Sequence, residues 1–462
     1  MRTSAVCLAA LVIAYAPERA HAAAGDVDPT FGDGGMVIDT RFGGAADGVV
    51  VQADGRILIA NAGDDGGRLA FAVSRFLTTG EIDTSFGVGG SATIAVGEFS
   101  YTDTLAVDRE GRVLVGGRGV WDTGDGVGSG IAVARFLADG ARDPSFGTGG
   151  GALHQLPQTA VHGIAIQADG RIVLAGSVGV FDGADSLVAR LLPNGDLDTS
   201  FGDGGVAIGS DGPGLDEFHA AALDRRGRIF AAGSRTIAGV TSMVVARFLP
   251  DGRLDTSFGD EGFASARSGE RSEGIALAIQ PNGRIVLAGT EGEQAASLTR
   301  MEDIALARFH PDGSLDESFG LVLLGFGGSN VAAGVLLQRD GKVVVVGSVD
   351  THVNLTFGIG LFRLLPNGAL DSTFGSGGGV FTRFPCLPES CFAKATGAAL
   401  QPDGNYVVSG LETHPLLMRY VGEGACGSDG AQCVRRYLAL RAPARAGSPG
   451  GRLPLRSFPA LQ

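Results

Sequence analysis

Lysine is nearly missing. Only Lys342 and Lys394 occur, so arginine supplies almost all of the 36 basic residues. Those face 50 acidic residues, for a net charge of −14. A surface of that sign repels a phosphate backbone, which argues against a nucleic-acid partner and is what plain solubility requires. Tryptophan occurs once, at position 121. No apolar run is long enough to predict a membrane span: Ala5–Ala16 has 12 residues, and a bilayer needs about 20. Helix signals are scarce as well. Among 77 glycines, short β-branched runs are bounded by Gly, Asp and Asn, and this reads as an all-β chain.

Cysteine is sparse, with five residues. Arg2, the apolar segment and Ala20-His21-Ala22 form an export signal, predicting cleavage after residue 22. Cys7 leaves with it. Cys386, Cys391, Cys426 and Cys433 remain, and in an exported chain they predict two disulfides, simplest as 386–391 and 426–433. Zinc is the alternative, but neither pair has histidines nearby.

What the chain does have is a repeat. D-x-[ST]-F-G occurs seven times, and its aromatic residues are Phe31, Phe86, Phe146, Phe201, Phe258, Phe319 and Phe374. Each is expected to wedge, buried, between neighbouring repeats. Each copy is followed by a Gly-rich step and a short apolar segment. Two apolar runs come next, joined by a tight turn whose Gly is at 55, 111, 170, 227, 283, 341 and 404. Asp-Gly here predicts a type I′ hairpin. The second run ends in Gly at 117, 176, 233, 289, 347 and 410, and in Asn61 in the first copy, which predicts a left-handed backbone there. A last strand finishes in A-R-F-x-P-[DN]-G or a close variant of it.

The runs are apolar at nearly every residue, so both faces are expected to be buried. Stacked four-stranded sheets supply that burial. The expected fold is therefore a seven-bladed β-propeller of four-stranded antiparallel blades, with a β-solenoid as the alternative. Repeats start near 28, 83, 143, 198, 255, 316 and 371. The domains are then a signal at 1–22, a repeat array at 23–425 and a Cys-containing, Arg/Pro/Gly-rich tail at 426–462, expected to be disordered. A basic tail of this kind could also touch an anionic envelope surface.

L-D-x-S-F-G, Q-x-D-G-[RK]-I-[VL]-[VL]-A-G and A-R-F-x-P-D-G, iterated along one chain, resemble the bacterial delta-60 repeat proteins. The resemblance covers residues 28–421. It implies a β-propeller and carries no assigned chemistry.

Two polar series follow the repeat. Arg75, Arg135, Arg190, Arg247, Arg308 and Arg363 each precede by eight residues Asp83, Asp143, Asp198, Asp255, Asp316 and Asp371. Arg419 has no Asp after it and Asp28 has no Arg before it. This predicts that the segment Asp28–Phe31 docks beside the last strand and closes the ring. Residues needed in every repeat read as scaffold, because a site breaks symmetry.

A site is therefore sought in what is not repeated: loops carrying Trp121, Asp122 and Asp125, residues 291–303, the stretch around His352, and the Cys386–Cys391 insert. Asp122 and Asp125 are calcium candidates without the full ligand series. No other cofactor is expected. His154, His162, His219, His310, His352 and His414 show no paired-ligand spacing and read as surface or loop residues. Asn354-Leu355-Thr356 matches a glycosylation sequon. The expected function is that of an exported monomeric binding or scaffold module, periplasmic, cell-surface or secreted, with a protein or glycan partner. The alternative is a propeller hydrolase or lyase acting on a polysaccharide or lactone at one channel mouth.

Overall fold

The computed structural model describes residues 23–423 except 125, 157, 180–183, 210–215, 270, 293–301, 352–356, 385–393 and 412–413. The export signal, Asp125, His352, the sequon at Asn354, the cysteines expected to pair (Cys386, Cys391, Cys426 and Cys433) and the C-terminal tail lie outside the described residues. Among the described residues all regular structure is β, and no helix is long and apolar enough to cross a membrane.

The strands form antiparallel meanders of four. One runs Thr159–Ile166, Ile172–Val178, Asp185–Leu191 and Val206–Ile208, each strand pairing with the next. Four sheets have four strands and a fifth has twelve. The twelve are three such meanders joined by single parallel bridges, Thr241 to Arg271 and Glu302 to Ser329. One of the four-stranded sheets is composite. Its outer strand is Met36–Ile38, from the N-terminal end, paired antiparallel with Pro415–Tyr420.

Continuous apolar runs become two-sided burial. Ala165, Val173 and Val188 of one sheet pack with Phe218, Ala221, Ile229 and Val244 of the next, all nearly solvent-free. The same layering joins the first and last repeats: Val49 and Ile57 lie with Ala399, Val407 and Leu417. Across that junction the Thr396 hydroxyl donates to the Ala46 carbonyl.

The turn after the first strand is not type I′. Gly170 N donates to Gln167 O at 3.0 Å, Gln167 N donates to Arg171 O at 2.8 Å, and φ is +87° at Gly170. Among described non-Gly residues only Gln158, Ala238 and Glu261 have positive φ, so Asp169 does not. This is a type I turn followed by one left-handed residue, the wider hairpin loop with a bulge. Only the glycine carries the backbone demand, which is why the residue before it varies.

The D-x-[ST]-F-G stretch is a joint between neighbouring repeats. Arg247 Nε donates to Asp255 Oδ2 at 2.8 Å, Asp255 Oδ1 accepts from the Ser257 hydroxyl at 2.6 Å, and Arg247 Nη1 donates to the next repeat's Pro311 carbonyl at 2.7 Å. The guanidinium lies 4.5 Å from the Phe258 ring centre. Phe258 is fully buried. Gly313 of the following repeat sits so close that a Cβ there would lie 2.5 Å from Gly259 N.

The other copies repeat this arrangement. The Arg–Asp bond recurs at Arg75, Arg135, Arg190, Arg308 and Arg363. Their guanidinium groups lie over Phe86, Phe146, Phe201, Phe319 and Phe374 respectively. Phe86, Phe146, Phe201 and Phe374 are solvent-free. Phe319 is buried too but keeps 5% exposure, and its copy lacks the Gly-Gly step that follows Phe31, Phe86, Phe146, Phe201 and Phe374. The next repeat closes over these rings. A Cβ on Gly140 would lie 3.1 Å from the Phe86 ring, one on Gly195 3.1 Å from Phe146, one on Gly252 3.1 Å from Phe201, and one on Gly368 3.2 Å from Phe319. Phe374 instead meets the N-terminal segment, where a Cβ on Gly25 would lie 3.2 Å from its ring. The unpaired ends of the two polar series meet: Arg419 Nε donates to Asp28 Oδ2 at 2.8 Å and stands 4.8 Å from the centre of the buried Phe31 ring.

Candidate functional site

A meander fixes which loops share a face. The turn after strand one and the D-x-[ST]-F-G joint after strand three lie at one end. The variable loops after strand two, and the connections into strand one, lie at the other. Every first strand begins at that variable end, and there it is irregular.

The irregularity is a β-bulge, and it recurs. The register slips past Asp47, Asp103, His162, His219, Ile275, Ala333 and Thr396. Each bulged residue lies eight positions before its turn glycine. A bulge inserts one extra residue and re-aims its side chain, which is why such features gather beside functional sites.

The bulge also explains the glycine that ends the second strand. None of Gly117, Gly176, Gly233, Gly289, Gly347 and Gly410 has positive φ, and neither does Asn61. The left-handed expectation is overturned, and close approach replaces it. A Cβ on Gly233 would lie 1.8 Å from the Glu217 carbonyl, and one on Gly176 would lie 1.8 Å from that of Ala160. In the six repeats with glycine, the bulged strand pushes the carbonyl two residues before the bulge onto its partner's Cα, and only hydrogen fits between them; the first repeat carries Asn61 there instead.

Seven equivalent positions carry unequal side chains. Four consecutive repeats offer Asp47, Asp103, His162 and His219; the next three offer Ile275, Ala333 and Thr396. Three of the ionisable ones, Asp103, His162 and His219, converge around Glu217. His162 Nε2 is 2.8 Å from Glu217 Oε1, and His219 Nε2 is 3.9 Å from Glu217 Oε2. His162 Nδ1 is 3.9 Å from Asp103 Oδ1. The two imidazoles stand 5.6 Å apart, and the Ser177 hydroxyl donates to Glu217 Oε1 at 3.2 Å. Both histidines are buried, while the Glu217 side chain keeps 34% exposure. Burial raises the Glu217 pKa. The His219 charge, the hydrogen bond and charge of His162 and the Ser177 hydroxyl outweigh it, holding the carboxylate well below its ordinary range.

Six segments of the sequence, 52–86, 111–146, 167–201, 227–258, 280–319 and 338–374, match the family described as "Domain of unknown function (DUF5122) beta-propeller". The chain is a β-propeller repeat protein. No curated protein matches it. Among solved structures, this propeller is similar to a protein of unknown function from Dyadobacter fermentans (12% identity, 84% of this chain and 98% of that one, TM-score 0.40). It is also similar to the polysaccharide lyase Uly1 (11% identity, 85% and 92%, TM-score 0.44) and to Drosophila Semaphorin 2a (7% identity, 86% and 76%, TM-score 0.43).

The residues expected from the loops fare differently. Asp122 is exposed at the end of the strand Val113–Asp122 and accepts from Gly124 N at 2.7 Å, capping its own turn. Trp121 pairs across the hairpin with Gly128, against which its ring lies. The described residues of that loop bring no second carboxylate to Asp122. The His162, Glu217 and His219 donors all lie within 4.8 Å of one another, the one such group among the described residues. The reading of the histidines as surface or loop residues without paired spacing is corrected for these two, which are buried in strands and hold the same position 57 residues apart. Counting back eight residues from the seven turn glycines exposes the pair. Other histidines stay apart: His154 Nε2 lies 2.9 Å from the Gly195 carbonyl, and His310 is half-buried near Asp316.

Proposed function

We propose that this chain is an exported, monomeric propeller of seven blades, its ring closed by the N-terminal segment, and that it binds a saccharide-like ligand at the mouth carrying Asp103, His162, Glu217 and His219. One observation carries the reading. The bulge position is equivalent in every repeat, yet it is ionisable in one run of neighbouring blades and not in the rest. Scaffold residues follow the symmetry, and these break it.

The surroundings suit a polyhydroxylated ligand. Tyr101, two residues before Asp103, is 43% exposed, and Phe99 beside it is 41% exposed. Exposed aromatic faces next to a few converging polar groups combine apolar contact with orienting hydrogen bonds. The test is calorimetric titration of neutral and acidic oligosaccharides into wild type and Glu217→Gln. Loss of a charge-assisted bond costs about 1.5–3 kcal/mol, a weakening of at least tenfold. Equal affinity for both proteins would refute the placement. N-terminal sequencing of the exported chain, expected to begin at Ala23, checks the export step.

A second reading rests on the 2.8 Å contact between His162 and Glu217. A paired imidazole and carboxylate can hold and pass a proton, so the mouth of a hydrolase or lyase acting on a polysaccharide or lactone would contain such a pair. Release of reducing ends or unsaturated products from a bound oligosaccharide, abolished in His162→Gln, separates this reading from binding alone.

A further inference from the structure

We infer that His162, Glu217 and His219 together form a binding site for a single divalent transition ion of the zinc class. The inference deepens the reading of this mouth as the ligand site and rests on it.

The donor set comes first. Two imidazoles and one carboxylate are the ligands such ions take, whereas calcium and magnesium prefer oxygen alone. Spacing comes second. Ligands at 2.0–2.2 Å from a tetrahedral centre lie roughly 3.3–3.5 Å from one another. The observed atoms come near that value: His162 Nε2 is 2.8 Å from Glu217 Oε1, His219 Nε2 is 3.9 Å from Glu217 Oε2, and one ligand atom from each residue falls within 4.8 Å of the others, so an ion would draw them slightly together. Two of the three ligands sit on bulges, so their backbones are fixed by the turn register and by the crowded glycines rather than by mobile loops.

Orientation is the third, separate observation. The His162 ring presents Nε2 to Glu217 and Nδ1 to Asp103, 3.9 Å away. A carboxylate behind the far ring nitrogen of a ligating histidine sets its tautomer and aim, and metal sites use this arrangement. At 3.9 Å the Asp103 carboxylate is beyond direct hydrogen-bond reach of Nδ1 and acts on the ring through its charge, as a positioning residue and not as a ligand. Three protein ligands leave one tetrahedral position open. Glu217 is partly exposed, so that position faces the mouth. A saccharide hydroxyl or carboxylate could occupy it.

The rival is a plain structural contact, a protonated His162 bonded to Glu217 across two blades. It predicts no affinity for metal. The experiment uses the full chain without a histidine tag, stripped with EDTA. Zinc is titrated by calorimetry, and cobalt(II) by visible absorption. The inference expects one zinc per chain and cobalt d–d bands of a four-coordinate nitrogen–oxygen site. Glu217→Gln and His219→Asn should each weaken zinc binding about 100-fold or more, and Asp103→Asn about 10–100-fold with the stoichiometry kept. No saturable zinc binding overturns the inference, and so does binding that Glu217→Gln and His219→Asn leave unchanged. Should those variants fail to fold, wild-type cobalt decides. Absent d–d bands, or thiolate charge-transfer bands that assign the ion to cysteines, overturn it equally. Repeating the oligosaccharide titration in EDTA separates the two proposals. A saccharide that still binds while metal does not removes only the metal; zinc that binds while no saccharide does removes only the ligand.

Discussion

Replacing Phe258 with alanine probes the joint on which every blade depends. The ring is fully buried. It lies under the Arg247 guanidinium at 4.5 Å and meets Phe230 edge-on at 5.8 Å between centres. It also abuts Gly313 of the next repeat, whose absent Cβ would lie 3.0 Å away. Truncating a buried Phe costs about 3–5 kcal/mol through lost transfer energy and the remaining cavity. The aromatic pair and the cation–π contact each add about 0.5–2 kcal/mol to what the ring supplies, which places Phe258→Ala toward the upper part of that range. Guanidinium unfolding measures it, followed by far-UV circular dichroism and by the fluorescence of Trp121, the single tryptophan. Trp121 lies several repeats away, so coincident shifts of both signals would show that the repeat array unfolds as one unit. A control at Val88, 90% exposed, should change stability by no more than about 0.5 kcal/mol. A cost below about 1 kcal/mol for Phe258→Ala would refute the joint.

Asp28→Ala leaves the buried Arg419 guanidinium without its carboxylate, which should cost about 3–5 kcal/mol. A thermal midpoint within about 1 °C of wild type would show that the N-terminal segment does not hold the last repeat. Gly233→Ala places a methyl 1.8 Å from the Glu217 carbonyl, so overpacking of about 1–3 kcal/mol should accompany weakened ligand binding at the mouth; normal stability with normal binding would count against the bulge geometry. Acid titration tests the joints together. Burial alone would raise the carboxyl pKa of Asp198, Asp316 and Asp371. Hydroxyl and amide donors with Arg190, Arg308, or Lys342 and Arg363 outweigh it and hold each at about 2. A folded pKa below the unfolded 3.8 gives stability that is present above about pH 4 and lost as pH falls through about 2. Unfolding free energy that stays constant from pH 5 to pH 2 would contradict the Arg–Asp network.

Much of the scaffold is legible in the chain because its signals are local and iterated. The eight-residue interval from Arg to Asp carries directly into a hydrogen bond, and the orphaned Asp28 and Arg419 are partners for the same reason. The seven Phe positions are buried wedges because each is held between its own Arg and the next segment's backbone. Glycine is legible as a requirement but not as a cause. At Gly170 it supplies positive φ; at Gly233 it makes room for a carbonyl, and sequence does not distinguish the two. The hairpin type is ambiguous because Asp-Gly also suits a type I turn followed by a left-handed residue. The site is hidden differently. His162 and His219 sit inside apolar strands, where no ligand spacing joins them, and Glu217 stands two residues before a bulge with no sequence signature of its own. Their proximity comes from adjacent blades. Only the shared interval to the turn glycine betrays it.

On the proposal made above, the asymmetric bulge positions are where this propeller meets its ligand. Oligosaccharide affinity of wild type, compared with Glu217→Gln and with Asp251→Asn at the opposite face, tests it most directly. Glu217→Gln should lose at least tenfold in affinity and Asp251→Asn nothing. Equal affinity in all three proteins, a loss confined to Asp251→Asn, or no oligosaccharide bound by wild type would contradict it.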